Sequence, residues 1–187
     1  MENRLLTFFA EWLSLPKEQF RILVMLADVG AFRGNLSDLC RYFSVDPQDY
    51  HRRRIRAAIE ELTRHGYIQS ARTGNTYQMA LVPKEDEITM PADWVARIRR
   101  HEYYTENVAW EIVLKVQLWL SLYAECEITN PEIAAGINTS VSQIVAAKNI
   151  LEHEYQAFIK EYVYWNTGDC FRRKGQIINM SAWWKTG

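Results

Sequence analysis

Asn35-Leu36-Ser37-Asp38-Leu39-Cys40-Arg41-Tyr42-Phe43, the break Ser44-Val45-Asp46-Pro47 and the run from Gln48 to His65 decide how this chain folds. Asn35 is a residue type that caps helices, and Leu36, Leu39 and Phe43 fall on one side of a short helix. After the break, Asp46 as a cap, Pro47 in the first turn and a stripe of His51, Ile55, Ala58, Ile59 and Leu62 predict a helix from about Pro47 to His65, closed by Gly66. Upstream, Phe20, Ile22, Leu23, Met25, Leu26 and Val29 recur at helical spacing between Pro16 and Gly30, which predicts a buried helix. Downstream, Tyr67 to Ser70 and Thr76 to Val82 read as strands joined through Arg72-Thr73-Gly74-Asn75, where Gly74 supplies the positive φ of a tight hairpin. The order is helix, helix, helix, hairpin.

Further out, the apolar residues Leu5, Leu6, Phe8, Phe9, Trp12 and Leu13 predict an arm over residues 1–15, ahead of a unit at 16–83. Pro83-Lys84-Glu85-Asp86-Glu87-Ile88-Thr89-Met90-Pro91 is charged and bracketed by prolines, so residues 84–104 read as a linker with a connecting helix from Asp93 to Tyr104. The order then repeats. Asp38-Leu39-Cys40 with Phe43 returns as Glu132-Ile133-Ala134 with Ile137, and Thr73-Gly74-Asn75 returns as Thr167-Gly168-Asp169, both displaced by 94 positions. A second unit is expected at 105–181: Trp110 to Ala124, a short helix from Asn130, Ser140 to Tyr155, then Phe158 to Tyr164 and Phe171 to Met180 as strands. Residues 182–187 are left as a tail.

Three helices and a hairpin, with a short second helix and a sharp turn before the third, resemble the winged-helix variant of the helix-turn-helix. The resemblance covers Lys17 to Val82 and Trp110 to Met180. It implies an α+β, mainly helical chain of two winged-helix units in tandem, similar in layout to plasmid and phage replication initiators. The apolar arm before the first helix also resembles primosome-type winged-helix domains. In winged-helix DNA binders the third helix enters the major groove and the hairpin lies on the backbone or minor groove, and the resemblance implies those roles here.

With residues about 100° apart, Ile55, Ala58, Ile59 and Leu62 take one side of the first unit's third helix. Arg53, Arg56, Ala57, Glu60 and Arg64 take the other, flanked by Arg52 and Arg54. Arginine suits both phosphate contacts and bidentate recognition of guanine. Arg72 at the hairpin tip, with Arg33 and Arg41, adds candidate phosphate contacts. From Arg33 to Arg72 there are eight basic and five acidic residues, in a chain of net charge −1. The opposing reading is a solvated face, with Glu60 and Glu61 pairing Arg56, Arg64 or Arg54. On the second unit's third helix, Val141, Ile144, Val145, Leu151 and Tyr155 read as core. Ser142, Gln143, Ala146, Asn149 and His153 are left exposed, with Arg172-Arg173-Lys174 in the hairpin as a phosphate grip. For that unit DNA contact and protein contact both stay open.

The remaining composition narrows the classes. The 187 residues are 48% apolar and 24% charged, ordinary for a folded protein. Three cysteines, Cys40, Cys126 and Cys170, form no close pair and fit a reducing compartment as buried hydrophobes, and four histidines show no metal-ligand spacing. No phosphate-binding loop, nucleophile elbow or paired metal motif is present, so no enzyme, cofactor or metal is expected. The longest uncharged stretch, Ile133 to Ala147, is too polar to span a bilayer, and the first residues lack a secretory signal. The expected setting is the cytoplasm, with no membrane. The expected function is sequence-specific binding of double-stranded DNA, as a transcription regulator or a replication or maintenance factor of a mobile element. The alternative is a winged-helix scaffold that assembles proteins without touching DNA. In either case the aromatic termini, Phe8-Phe9-Trp12 and Trp183-Trp184, offer a contact for a homodimer or protein partner.

Overall fold

A computed structural model describes residues 4–100, 108–122, 129–167 and 170–179, with the hairpin strands at 158–167 and 170–179 described by backbone alone. The fold is α+β, and the chain divides into two units, Met1–Ala92 and Asp93–Gly187.

Unit 1 runs β1 (Leu5–Phe9), a 3-10 turn (Ala10–Ser14), α1 (Lys17–Val29), β2 (Ala31–Gly34), α2 (Leu36–Tyr42), α3 (Asp49–Arg64), β3 (Ile68–Thr73), β4 (Thr76–Leu81) and β5 (Glu87–Pro91). Helix α1 is its centre, with Phe20, Ile22, Leu23, Val24, Met25 and Leu26 each at 0% exposure. Gly30, at φ 78°, ends it by donating to the Leu26 carbonyl at 2.8 Å. Asn35 caps α2 in a reciprocal box: its side chain accepts from the Ser37 and Asp38 N–H groups, and Asp38 accepts from the Asn35 N–H at 2.8 Å. Helix α3 buries Ile55, Ala58, Ile59 and Leu62, the side that spacing assigned to the core, while His51 is only half-buried.

The start of α3 differs from expectation. It begins at Asp49, behind Gln48, and neither Asp46 nor Pro47 serves as expected. The Asp46 carboxylate accepts from the Gln48 amide, and the Pro47 carbonyl accepts from the Arg52 guanidinium at 2.8 and 2.5 Å. The hairpin forms where expected, but β3 runs on through Thr73, so Arg72 and Thr73, expected in the connection, pair with Tyr77 and Thr76, leaving Gly74, at φ 60°, and Asn75 as the turn. It gains a third strand that was not foreseen: β2 pairs antiparallel with β4, giving the order β2-β4-β3. Ala31 to Gly34 carries no buried apolar side chain, so no alternation marks it.

The arm at 1–15 and the linker at 84–104 are corrected more substantially. Strands β1 and β5 pair antiparallel from Leu5–Pro91 to Phe9–Glu87. Leu6 faces Met90 and Phe8 faces Ile88, all four at 3% exposure or less. The alternation Glu87, Ile88, Thr89, Met90 therefore is a strand pattern, and Pro91 stands at its last position, where a missing N–H is tolerated. Phe8, Phe9, Trp12 and Leu13 are interior, with Phe9 edge-on to Trp12 at 5.1 Å, so the N-terminal aromatics offer nothing to a partner. Trp183 and Trp184 lie outside the described residues.

Unit 2 contains α4 (Ala92–Arg100), α5 (Trp110–Leu122), α6 (Asn130–Gly136), α7 (Val141–His153), β6 (Phe158–Thr167) and β7 (Cys170–Asn179). Helix α4 is packed rather than a free connector: Val95 and Ile98 are buried, and the Arg97 guanidinium lies 4.7 Å over the Tyr155 ring. Residues 101–107, the rest of the expected connecting helix, lie outside the described residues. The repeat holds in backbone detail. A Thr129–Glu132 capping box stands 94 positions after Asn35–Asp38, and Asn138 at φ 54° stands 94 after Ser44 at φ 55°. The next N–H closes both turns alike, Val45 to Cys40 and Thr139 to Ala134, each at 2.9 Å. Thr167 opposite Cys170 repeats Thr73 opposite Thr76 at the same spacing.

Helix α5 is buried almost all round, including Glu111, Lys115 and Gln117. Burial pushes the Lys115 ammonium down to about 8, against the upward pull of the Glu111 carboxylate one turn earlier. On α7 and just beyond it, Ile144, Leu151 and Tyr155 are buried as expected, and the two valines are corrected. Val141 and Val145 are 43% and 41% exposed, whereas Ile144, Ala147, Lys148, Ile150 and Leu151 face inward. Lys148 can do so because its stem is apolar and its Nζ donates to Asn130 Oδ1 at 2.9 Å.

Gly136 fixes how closely α6 approaches α5, since a Cβ there would collide with the outer ring of Trp119. Gly136→Ala is expected to lower the stability of unit 2 by about 1 to 3 kcal/mol through overpacking. A shift of the urea midpoint at unchanged slope would report it; an unchanged midpoint would mean the Trp119 ring steps aside at no cost.

Candidate nucleic-acid interface

Around the N-terminal part of α2, the exposed side of α3 and the β3–β4 hairpin lies a cavity of about 380 Å³, lined by Asn35, Leu36, Ser37, Arg41, Arg52, Arg56, Arg72, Asn75 and Tyr77. Its lining holds four arginines and no carboxylate. Each arginine arrives for a local reason. The helical phase that buries Ile55 and Ile59 turns Arg56 outward. Arg52 is held against the Pro47 carbonyl. Arg72 donates to the Gly74 carbonyl at 2.8 Å and lies 5.4 Å over the buried Tyr77 ring, which fixes the hairpin-tip cation in place. Arg41 is tied to Asp38 at 2.8 Å with 69% of its side chain exposed. Exposed pairs of that kind contribute about 0 to 1 kcal/mol, so a phosphate can displace the carboxylate at small cost.

The other sequence-assigned arginines divide. Arg53 is exposed and donates to the Asp49 carbonyl at 3.4 Å. Arg56 makes no ion pair among the described residues, and Glu60, also exposed, makes none either. Arg54 is turned away from this surface: it pairs with Glu18 of α1 and donates to the Tyr50 hydroxyl at 2.9 Å. Desolvation pulls its pKa down, but Glu18 and Tyr50 outweigh that and raise it. Arg64, at the far end of α3, pairs with Glu61, which is the one ion pair of the solvated-face reading that forms. Arg33 is exposed on β2, beside a separate shallow face formed with Gln69, Ala71 and Gln78.

In unit 2, Ser142 is exposed with its hydroxyl 3.0 Å from that of Ser140, and Gln143 is engaged by the Thr139 hydroxyl and the cap of α7. Asn149 is half-buried. Arg172, Arg173 and Lys174 stand in β7 opposite Trp165, Tyr164 and Val163 of β6, and their side chains lie outside the described residues. Sequence reasoning passed over Asn35, Ser37, Asn75 and Tyr77 as lining residues because their cap, turn and strand roles already explained them. Cys40 is buried, and burial raises its thiol pKa; Cys126 and the Cys170 side chain lie outside the described residues. Among the described residues no group of three His, Cys, Asp or Glu side chains is placed to hold a metal ion. No protein family and no curated protein matches the sequence, so the site is read from its own chemistry.

Proposed function

We propose that both units are winged-helix domains and that unit 1 binds duplex DNA in a sequence-specific manner. The supporting observation is the convergence of Arg41, Arg52, Arg56 and Arg72, from α2, α3 and the hairpin, on one concave surface without a carboxylate in its lining. In this reading α3 lies in the major groove, with Arg53 and Arg56 toward base edges, while Arg72 and Arg41 neutralise backbone phosphates on either side. Such a protein serves as a transcription regulator or as a replication or maintenance factor of a mobile element, and we place it in the cytoplasm with its DNA. Among the described residues no helix is long and apolar enough to cross a membrane.

Titration of the purified chain against a pool of random duplexes by fluorescence anisotropy tests this. Affinity should fall with salt, with a slope of roughly −0.9 per phosphate neutralised. Arg56→Ala should weaken binding to a selected site by about 1 to 3 kcal/mol. A folded protein that binds no duplex at low salt would sink the proposal.

Unit 2 carries a second reading. The exposed Val141 and Val145, with Lys148 turned inward, favour a protein contact over a phosphate contact on α7. On that reading unit 2 brings a partner to the DNA held by unit 1.

A further inference from the structure

Two carboxylates lie on the side of α3 that presents Arg53, Arg56 and Ala57: Asp49, in the first turn, has the Arg52 guanidinium 3.8 Å away, and Glu60 stands further along the helix. Glu60 is exposed and makes no ion pair among the described residues, although Arg56 precedes it by one helical turn. Between two phosphate strands an anion with no donor is repelled, so its presence on this face calls for a specific donor. In the major groove the base donors are the exocyclic amines of cytosine and adenine. Adenine presents its N7 acceptor beside the amine, which repels a carboxylate and suits an amide side chain instead. Cytosine presents its amine with no acceptor on its own major-groove edge, where only C5–H adjoins it. Ala57 is too short to hold the helix away from the base edges.

We propose that Glu60 is a specificity-determining residue that accepts the exocyclic amine of a cytosine in the major groove, an inference that rests on the DNA reading above. One helical turn advances about 5.4 Å along α3, and DNA rises about 3.4 Å per base pair. The preferred site therefore carries a C·G pair one to two base pairs from the pair met by Arg56.

The test is selection from random duplexes with the full chain, its Glu60→Gln and its Glu60→Ala variants, followed by titration against single-pair variants of the selected site. Glu60 is exposed, so neither substitution disturbs the core. Wild type should prefer C·G at one position by roughly tenfold or more. Glu60→Gln should move that position toward A·T, Glu60→Ala should lose the preference there, and the other positions should stay as they were. A C·G preference that survives in Glu60→Ala, or a selected site without that pair, overturns the assignment while the DNA reading stands. Absence of any duplex binding by folded wild type overturns the DNA reading and this assignment together.

Discussion

Trp12→Ala is expected to cost about 3 to 5 kcal/mol, a large share of the stability of a unit this size. Trp12 is fully buried and sits in the angle between Phe8 and Phe9, edge-on to both, with ring centroids 6.2 and 5.1 Å away. Removing the indole leaves a void between the β1–β5 sheet and the turn that follows β1, where neighbouring rings cannot collapse without breaking their own contacts. Its Nε1 has no hydrogen-bond partner among the described residues. Nothing polar is therefore lost with it, and Trp12→Phe, which also removes an unsatisfied donor, should cost far less than Trp12→Ala. Urea denaturation of both variants separates volume from polarity: equal losses would mean the indole nitrogen, not the packing, is what unit 1 depends on.

Stability of unit 2 is expected to rise by about 3 kcal/mol between pH 8 and pH 10.5 through Lys115 alone. The folded chain releases that proton near pH 8, whereas the unfolded chain keeps it to 10.5. In that window the unfolded state binds more protons, so raising the pH favours folding. Below pH 8 the ammonium is charged in both states and the burial cost is present in full. Urea midpoints measured across the window, with Lys115→Met as reference, isolate the contribution. Equal pH slopes in the two proteins would show that Lys115 is hydrated rather than enclosed.

Local signals were legible and distant ones were not. Asn35 announced the α2 cap because capping is a contact two or three residues long, while the reciprocal bond from Asp38 was not read. The core side of α3 followed from Ile55, Ala58, Ile59 and Leu62 because one helical period fixes all four. Arg54 could not be read, since its partner Glu18 lies on another helix. Strand β5 was hidden because Pro83 and Pro91 drew attention from the alternation of Ile88 and Met90, which matters only opposite Leu6 and Phe8. On α7 and just beyond it the reading of Ile144, Leu151 and Tyr155 as core holds, whereas Val141 and Val145 were counted as core on apolar type alone and are exposed. The arginines of the candidate site were legible as a group, but which of them stay unpaired is a property of the packed helices.

Pairing of Leu5 with Pro91, extended by the Ala92 N–H donating to the Arg4 carbonyl at 2.8 Å, brings the two ends of unit 1 to one corner. The chain enters and leaves the unit side by side, as through a single doorway. Such a unit can be grafted into a surface loop of another protein, or have its ends joined and be reopened elsewhere, with its core undisturbed.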